Sequence, residues 1–163
     1  MLYVRKATPG DRGRIAEIYR AAQEYMIASG NPTQWGHAYP SAEDIEEDIN
    51  LCRSFLVCND SKACGVFVIC EGEEPTYRII ENGDWPDDDP YITIHRIASD
   101  GSESGIFKCL LDYCGQLSQN IRIDTHENNI PMRRLMDKHG FKRCGLIYVR
   151  DGSPRIAYQR HKR

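Results

Sequence analysis

No apolar run in the 163-residue chain approaches the length of a membrane span, and the opening MLYVRKATPGD lacks the apolar core of a signal peptide. A soluble, cytoplasmic protein is expected. There is no CxxC pair, and the cysteines at 52, 58, 64, 70, 109, 114 and 144 are odd in number. Neither a disulfide framework nor a zinc site is indicated, so no metal is expected. Reduced cysteine used as a small hydrophobe is the plain reading, and no Cys–His spacing marks a nucleophile. The chain has no GxGxxG for a dinucleotide and no GxxxxGK[ST] for a nucleotide triphosphate. Basic excess is missing too. With 21 Lys and Arg against 24 Asp and Glu, the net charge of −3 gives no pull toward nucleic acid or an anionic membrane.

No repeat, low-complexity tract or linker divides the sequence, so one domain over residues 1–163 is expected. With 40% hydrophobic and 28% charged residues, its composition is that of an ordinary globular protein. Residues 2–7 read as a strand. Thr8 and Asp11 stand in capping-box spacing before a helix whose stripe is Ile15, Ile18, Tyr19, Ala22 and Met26. SGNPTQWGHAYP (29–40) is a loop. Ser41 and Asp44 repeat the capping signal ahead of a short helix carrying Ile45, Ile49 and Cys52. Strands at 54–60 and 63–72 form a hairpin, and 73–90 offers a candidate short strand around 77–80 before an acidic, proline-bounded loop. A strand at 91–98 precedes a helical stripe of Ile106, Cys109, Leu110, Tyr113, Cys114 and Leu117. Strand 121–126, a helix opened by Asn128 or Asn129, and strands near 142–149 and 154–160 complete the order β-α-α-β-β-β-α-β-α-β-β. The class is α/β: a central mixed sheet with helices on both faces, whose strands 91–98 and 121–126 are parallel.

The stretch IHRIASDGSESGIFKCLLDYC (94–114) runs from strand through small polar residues straight into a helix. Helix-start N–H groups have no intrahelical partner, and the dipole makes that end electropositive. It is either an ordinary connection or a phosphate seat. Gly105 permits close approach, Ser102 and Ser104 offer hydroxyls, and Lys108 adds a cation. Asp100 and Glu103 oppose an anion unless they turn away.

The element order, HRIAS before the turn, GIF opening the helix, and DTHENNIPMRRLMDKHGF afterward resemble the GNAT superfamily of N-acetyltransferases over nearly the whole chain. The resemblance implies a GNAT-like acyl-CoA N-acyltransferase fold in which two parallel strands splay around the pantetheine arm of acetyl-CoA. It implies that backbone groups of Ile97, Ala98 and Ser99 meet the arm and the acyl carbonyl. Ser104, Gly105, Ile106, Phe107 and Lys108 would cradle the pyrophosphate, with Asn129 bonding the arm. Two departures stand out. The turn SDGSESG is shorter than the family's and lacks its arginine or glutamine. Met136 occupies the position that often holds a tyrosine, proton donor to the leaving thiolate; a thiol of pKa near 8.5 leaves tolerably without one. Tyr148 is an alternative donor.

The implied reaction is acetyl transfer from acetyl-CoA to a primary amine by direct attack in a ternary complex. A strand N–H at Ala98 or Ser99 would polarise the acyl carbonyl, and a base must take the ammonium proton. Catalytic candidates are His95, His126 and Glu127; His95 is otherwise a core histidine, and the other two are otherwise loop or capping residues. Trp35 and Tyr39, with His37, either line an acceptor pocket or pack over the sheet edge. The acidic residues 81–89 either attract a cationic amine or are solvated. Arg133, Arg134, Lys138, Lys142 and Arg143, near the proposed phosphates, either touch the adenosine 3′-phosphate or are the wet side of a helix, and the terminal RHKR is read as solvated in the same way. Expected partners are a small-molecule or peptide amine and acetyl-CoA, with no nucleic acid and no membrane; a homodimer through sheet edges is implied by the resemblance. A non-catalytic acyl-CoA-binding or protein-interaction module on the same fold is the alternative.

Overall fold

The computed structural model describes residues 1–161; Lys162 and Arg163, the end of the RHKR run, lie outside the described residues. Seven strands and four helices occur in the predicted order: β1 (Leu2–Lys6), α1 (Arg12–Ala28), α2 (Ala42–Asn50), β2 (Ser54–Asn59), β3 (Lys62–Glu71), β4 (Ile92–Ser99), α3 (Ile106–Gly115), β5 (Asn120–Thr125), α4 (Ile130–Lys138), β6 (Lys142–Tyr148) and β7 (Pro154–His161). They form one mixed sheet of order β1-β2-β3-β4-β5-β7-β6. Among the described residues, no helix is long and apolar enough to cross a membrane.

Contacts divide the chain into two compact units: Met1–Ile69 with His95–Tyr113, and Cys70–Ile94 with Cys114–Arg163. In the first unit, the Thr8–Asp11 box caps a 3-10 turn (Pro9–Asp11) that runs directly into α1, and the Ser41–Asp44 box caps α2. Asp11 accepts from the Thr8 backbone N–H at 2.8 Å, and Ser41 and Asp44 bond reciprocally at 2.8 and 3.2 Å. Ile15, Ile18, Tyr19 and Ala22 of α1 are buried, whereas Met26 is half-buried. They share a core with Ile45 and Ile49 of α2 and with Leu56, Cys58 and Val66 of the β2–β3 hairpin. Side chains alternate across a strand, so Phe55 and Phe67 face the other way. There they meet Tyr113 of α3, with centroids 5.5 and 6.4 Å from its ring. Helices thus cover both faces of this part of the sheet.

In the second unit, β4 begins parallel to β5 through Ile92↔Ile121 and Thr93↔Arg122. β7 runs antiparallel to β5 from Asn120↔His161 to Thr125↔Ile156, and β6 closes on β7. The strand expected around 77–80 is not formed. Pro75–Tyr77 is instead a 3-10 turn capped by the Glu74 carboxylate, and only Glu81 bridges to Leu146. Pro75 fixes φ and has no N–H to lend a ladder, which favours the turn. It delivers Tyr77 into a core with Ile147 and Ala157. Leu117 was expected on the apolar stripe of α3; the helix ends at Gly115 and Leu117 is exposed.

Candidate functional site

In the first unit, β4 carries the backbone groups on which an acyl site would be built. Ala98 is buried in the core, while His95, Ile97 and Ser99 are half-buried. Between His95 and Ile97 the strand is broken in conformation: Arg96 has φ 50°. A non-glycine residue there is unfavourable and needs something to hold it. Its guanidinium bonds Asp48 twice, at 2.8 and 2.9 Å, and the Tyr39 hydroxyl at 2.7 Å.

The turn that follows orders its own carboxylates. The Asp100 backbone N–H donates to Cys64 O at 3.0 Å. One Asp100 oxygen takes the Ser102 N–H and hydroxyl at 2.9 and 2.6 Å, and the other is paired with Arg14. Burial alone would raise this carboxyl's pKa; the bonds from Ser102 and Arg14 more than reverse that and hold it down. Glu103 accepts from the Asn59 side chain. Asp100 is therefore engaged on both oxygens and charge-paired, whereas Glu103 is held on one oxygen by a neutral amide. The Ser102 hydroxyl is likewise spent on Asp100.

Gly105 takes φ 80°, and α3 starts one residue later. The Cys109 N–H makes a helical bond to Gly105 O at 3.0 Å, so the N–H groups of Ile106, Phe107 and Lys108 belong to the first turn, before that bond. A left-handed residue leading into helical N–H groups forms a concavity suited to anions. Lys108 departs from expectation: its ammonium pairs with Asp112 at 2.7 Å along the exposed helix side. Exposed pairs of this type are weak and readily exchanged.

The loop residues divide. Trp35 packs on the core and stands edge-on to Tyr19 at 5.7 Å, whereas Tyr39 is partly exposed and bonded to Arg96. His37 is exposed.

His126, Glu127 and Asn129 lie in the second unit, just after β5. His126 Nδ1 accepts the Asn128 N–H at 3.0 Å, which puts the proton of the neutral ring on Nε2. Burial, then Arg155, lowers its pKa against the opposing effect of Glu127. The Glu127 side chain is exposed, and its backbone carbonyl accepts from Arg133 at 2.8 Å. Asn129 caps α4, its side-chain oxygen accepting the Met132 N–H at 3.3 Å. Met136 is wholly buried. Tyr148 is exposed, and its bond with Glu81 pushes the phenol up.

Three residues were not singled out from sequence. Asp48 lies on the buried face of α2, where a carboxylate between Ile45 and Ile49 gives no periodic signal. Arg96 reads as an alternating strand residue. Asp124 accepts from the buried Tyr77 hydroxyl at 2.7 Å, and burial, then Asp124, pushes that phenol well above its ordinary range. Of the acidic loop, Asp84, Asp88 and Asp89 are exposed, while Asp87 is tied by its carbonyl to Arg122 and by its carboxylate to Gln159. Arg122 lies 4.0 Å from the ring centres of both Trp85 and Tyr91, which anchors this loop to the sheet.

No protein-family model matches the chain, and no curated protein matches it in sequence. Solved structures do. A GNAT-family acetyltransferase from Streptococcus agalactiae 2603 is 28% identical, covers 99% of this chain and 96% of its own, and superposes with a TM-score of 0.90. A GNAT-family acetyltransferase from Listeria monocytogenes 4b F2365 is 22% identical over 98% of this chain and 94% of its own, TM-score 0.70. The aminoglycoside acetyltransferase AAC(6')-Ib, solved with coenzyme A and kanamycin, is 17% identical over 99% and 95%, TM-score 0.67. The last two share the fold; the first superposes over almost the full length of both chains and is also the more similar in sequence. On that correspondence the chain has the fold of the GNAT-family acetyltransferases and resembles one of them in sequence.

Proposed function

We propose that the chain is an N-acetyltransferase that moves an acetyl group from acetyl-CoA to a primary amine by direct attack in a ternary complex. The observation that carries this reading is the start of α3. Gly105 is left-handed, the first-turn N–H groups follow it, and Asp100 and Glu103 are both taken up by Arg14 and Asn59. An anion there meets first-turn donors, with the Asp100 charge paired to Arg14, so the residues present fit a pyrophosphate. Ser104, Gly105, Ile106, Phe107 and Lys108 would hold it, Lys108 by exchanging Asp112 for phosphate. Ile97, Ala98 and Ser99 would bond the pantetheine arm through backbone groups.

An N–H of Ala98 or Ser99 serves as oxyanion donor while the amine nitrogen bonds the acyl carbon. The C–S bond then breaks and its electron pair leaves as thiolate. The amine proton passes to a base, which we assign to His95, directly or through water. His126 is less suited, because its Nδ1 lone pair is engaged by Asn128. With Met136 buried, the thiolate leaves without a donor from α4. The kanamycin complex of a fold relative supports a small-molecule amine as acceptor.

The test is incubation of the protein with acetyl-CoA and an amine panel, with acetylated product read by mass spectrometry. Product on at least one amine, lost in His95→Ala by about 100-fold or more, is expected. Binding of acetyl-CoA without product on any amine favours the non-catalytic reading, for which the buried Met136 is the supporting observation.

A further inference from the structure

Among the described residues, four that are not glycine have positive φ: Cys52, Asp60, Asn82 and Arg96. The first three lie in turns or bends; Arg96 lies inside β4. What holds it there is its side chain. Nε and one terminal nitrogen donate to the two oxygens of Asp48, and the other terminal nitrogen donates to Tyr39 Oη at 2.7 Å. The Asp48 side chain is 2% exposed and also accepts from Arg53 at 2.7 Å. Tyr39 is held from two further sides. Gln23 donates to its backbone carbonyl at 2.8 Å, and its ring stands edge-on to Trp35 at 6.1 Å.

A guanidinium has donors only, so Tyr39 Oη is the acceptor in its bond to Arg96 and its own O–H points elsewhere. The residue is 38% exposed, and the described residues offer that proton no acceptor. The cation behind the oxygen polarises the O–H and strengthens it as a donor. The result is a fixed, outward hydrogen-bond donor on a loop, tied directly to the strained residue of β4, which one buried carboxylate anchors.

We propose that Arg96, anchored by Asp48, is a positioning residue that aims the Tyr39 hydroxyl at the acceptor, so that the protein selects amines bearing a hydroxyl, carbonyl or carboxylate oxygen beside the amino group. The inference rests on the N-acetyltransferase reading. Tyr39 supplies the contact; Arg96 and Asp48 act through it. Alkylamines without such an oxygen leave the donor unpaired and are disfavoured.

The experiment compares matched amines, ethanolamine against ethylamine and glycinamide against propylamine, at saturating acetyl-CoA. For the wild type, kcat/KM is expected to favour the oxygen-bearing member by about tenfold or more. Tyr39→Phe keeps the ring against Trp35 and removes only the hydroxyl; its ratio should fall to near one, chiefly through KM, with the calorimetric Kd for acetyl-CoA unchanged. Arg96→Lys keeps a charge but loses the fork, and should shift the ratio the same way. A purely structural role would lower all four amines alike. A wild-type ratio near one, or Tyr39→Phe with the wild-type ratio, overturns the inference and leaves the acetyltransferase reading intact. Absence of product from every amine overturns that reading and this inference with it.

Discussion

Ile106, the first residue of α3, lies so close over Gly65 of β3 that a Cβ on the glycine would stand 2.8 Å from Ile106 Cγ2 and 3.3 Å from the carbonyl oxygen of Ala98. The glycine therefore sets how near the start of the helix comes to the strand bearing Ala98. Gly65→Ala forces the helix start outward, because a branched side chain and a backbone carbonyl have little room to yield. We expect a stability loss of about 1–3 kcal/mol in urea denaturation. Affinity for acetyl-CoA should fall with it, by about tenfold in calorimetry, since the first-turn donors move with Ile106.

Removing the carboxylate of Asp48 strands two guanidinium groups that it now bonds, those of Arg53 and Arg96. Breaking one side of such a pair costs about 3–5 kcal/mol when the groups are fully buried. Arg53 is 29% exposed and recovers part of its hydration. Asp48→Ala is therefore expected near the lower end, about 3 kcal/mol by urea denaturation. Adding Arg96→Met should restore part of the loss; an Asp48→Ala protein as stable as wild type contradicts the structure.

Acid should reveal the Arg5–Asp11 pair. Arg5 bonds Asp11 with two N–H groups at 2.8 and 2.9 Å, and that bond leads the effects that draw the carboxyl pKa from its ordinary 3.8 to about 2. The folded-state value lies below the unfolded one. The pair's stabilisation is therefore complete above roughly pH 4 and is lost as pH falls through 2. Between those values, Tm of the wild type should fall more steeply than Tm of Asp11→Asn. Parallel Tm curves would contradict the assignment.

Cysteine reactivity should divide by burial. The seven cysteines are unpaired; Cys52 is exposed, while burial pushes Cys114 up to about 12. Alkylation with iodoacetamide at pH 8, mapped by peptide mass, should modify Cys52 at least about 100-fold faster than Cys114 in the folded protein. The difference should vanish in urea.

The element order was legible because it is written in periodicity and caps: the α1 stripe through Ile15 and Ile18, the Ser41–Asp44 box, and Asn129 ahead of Pro131 all have local physical causes. The segment 77–80 was misread because its apolar residues fit a short strand, whereas Pro75 and the burial of Tyr77 select a 3-10 turn. Leu117 continued a period that the chain had already left at Gly115. The turn at 100–105 was legible as donors, but the fate of Asp100 and Glu103 depends on Arg14 and Asn59, distant in sequence. The same holds for Arg96. Nothing in HRIAS announces a left-handed residue, since the cause is a carboxylate 48 positions earlier.

The most direct measurement is calorimetric titration of acetyl-CoA into the wild type and into Gly105→Glu. The substitution sets a side chain at φ 80° and a carboxylate beside the first turn of α3. The account predicts saturable one-to-one binding for the wild type and an affinity at least about 30-fold weaker for the variant, with helical circular dichroism unchanged. Absence of heat with the wild type, or equal affinity for both proteins, would contradict it.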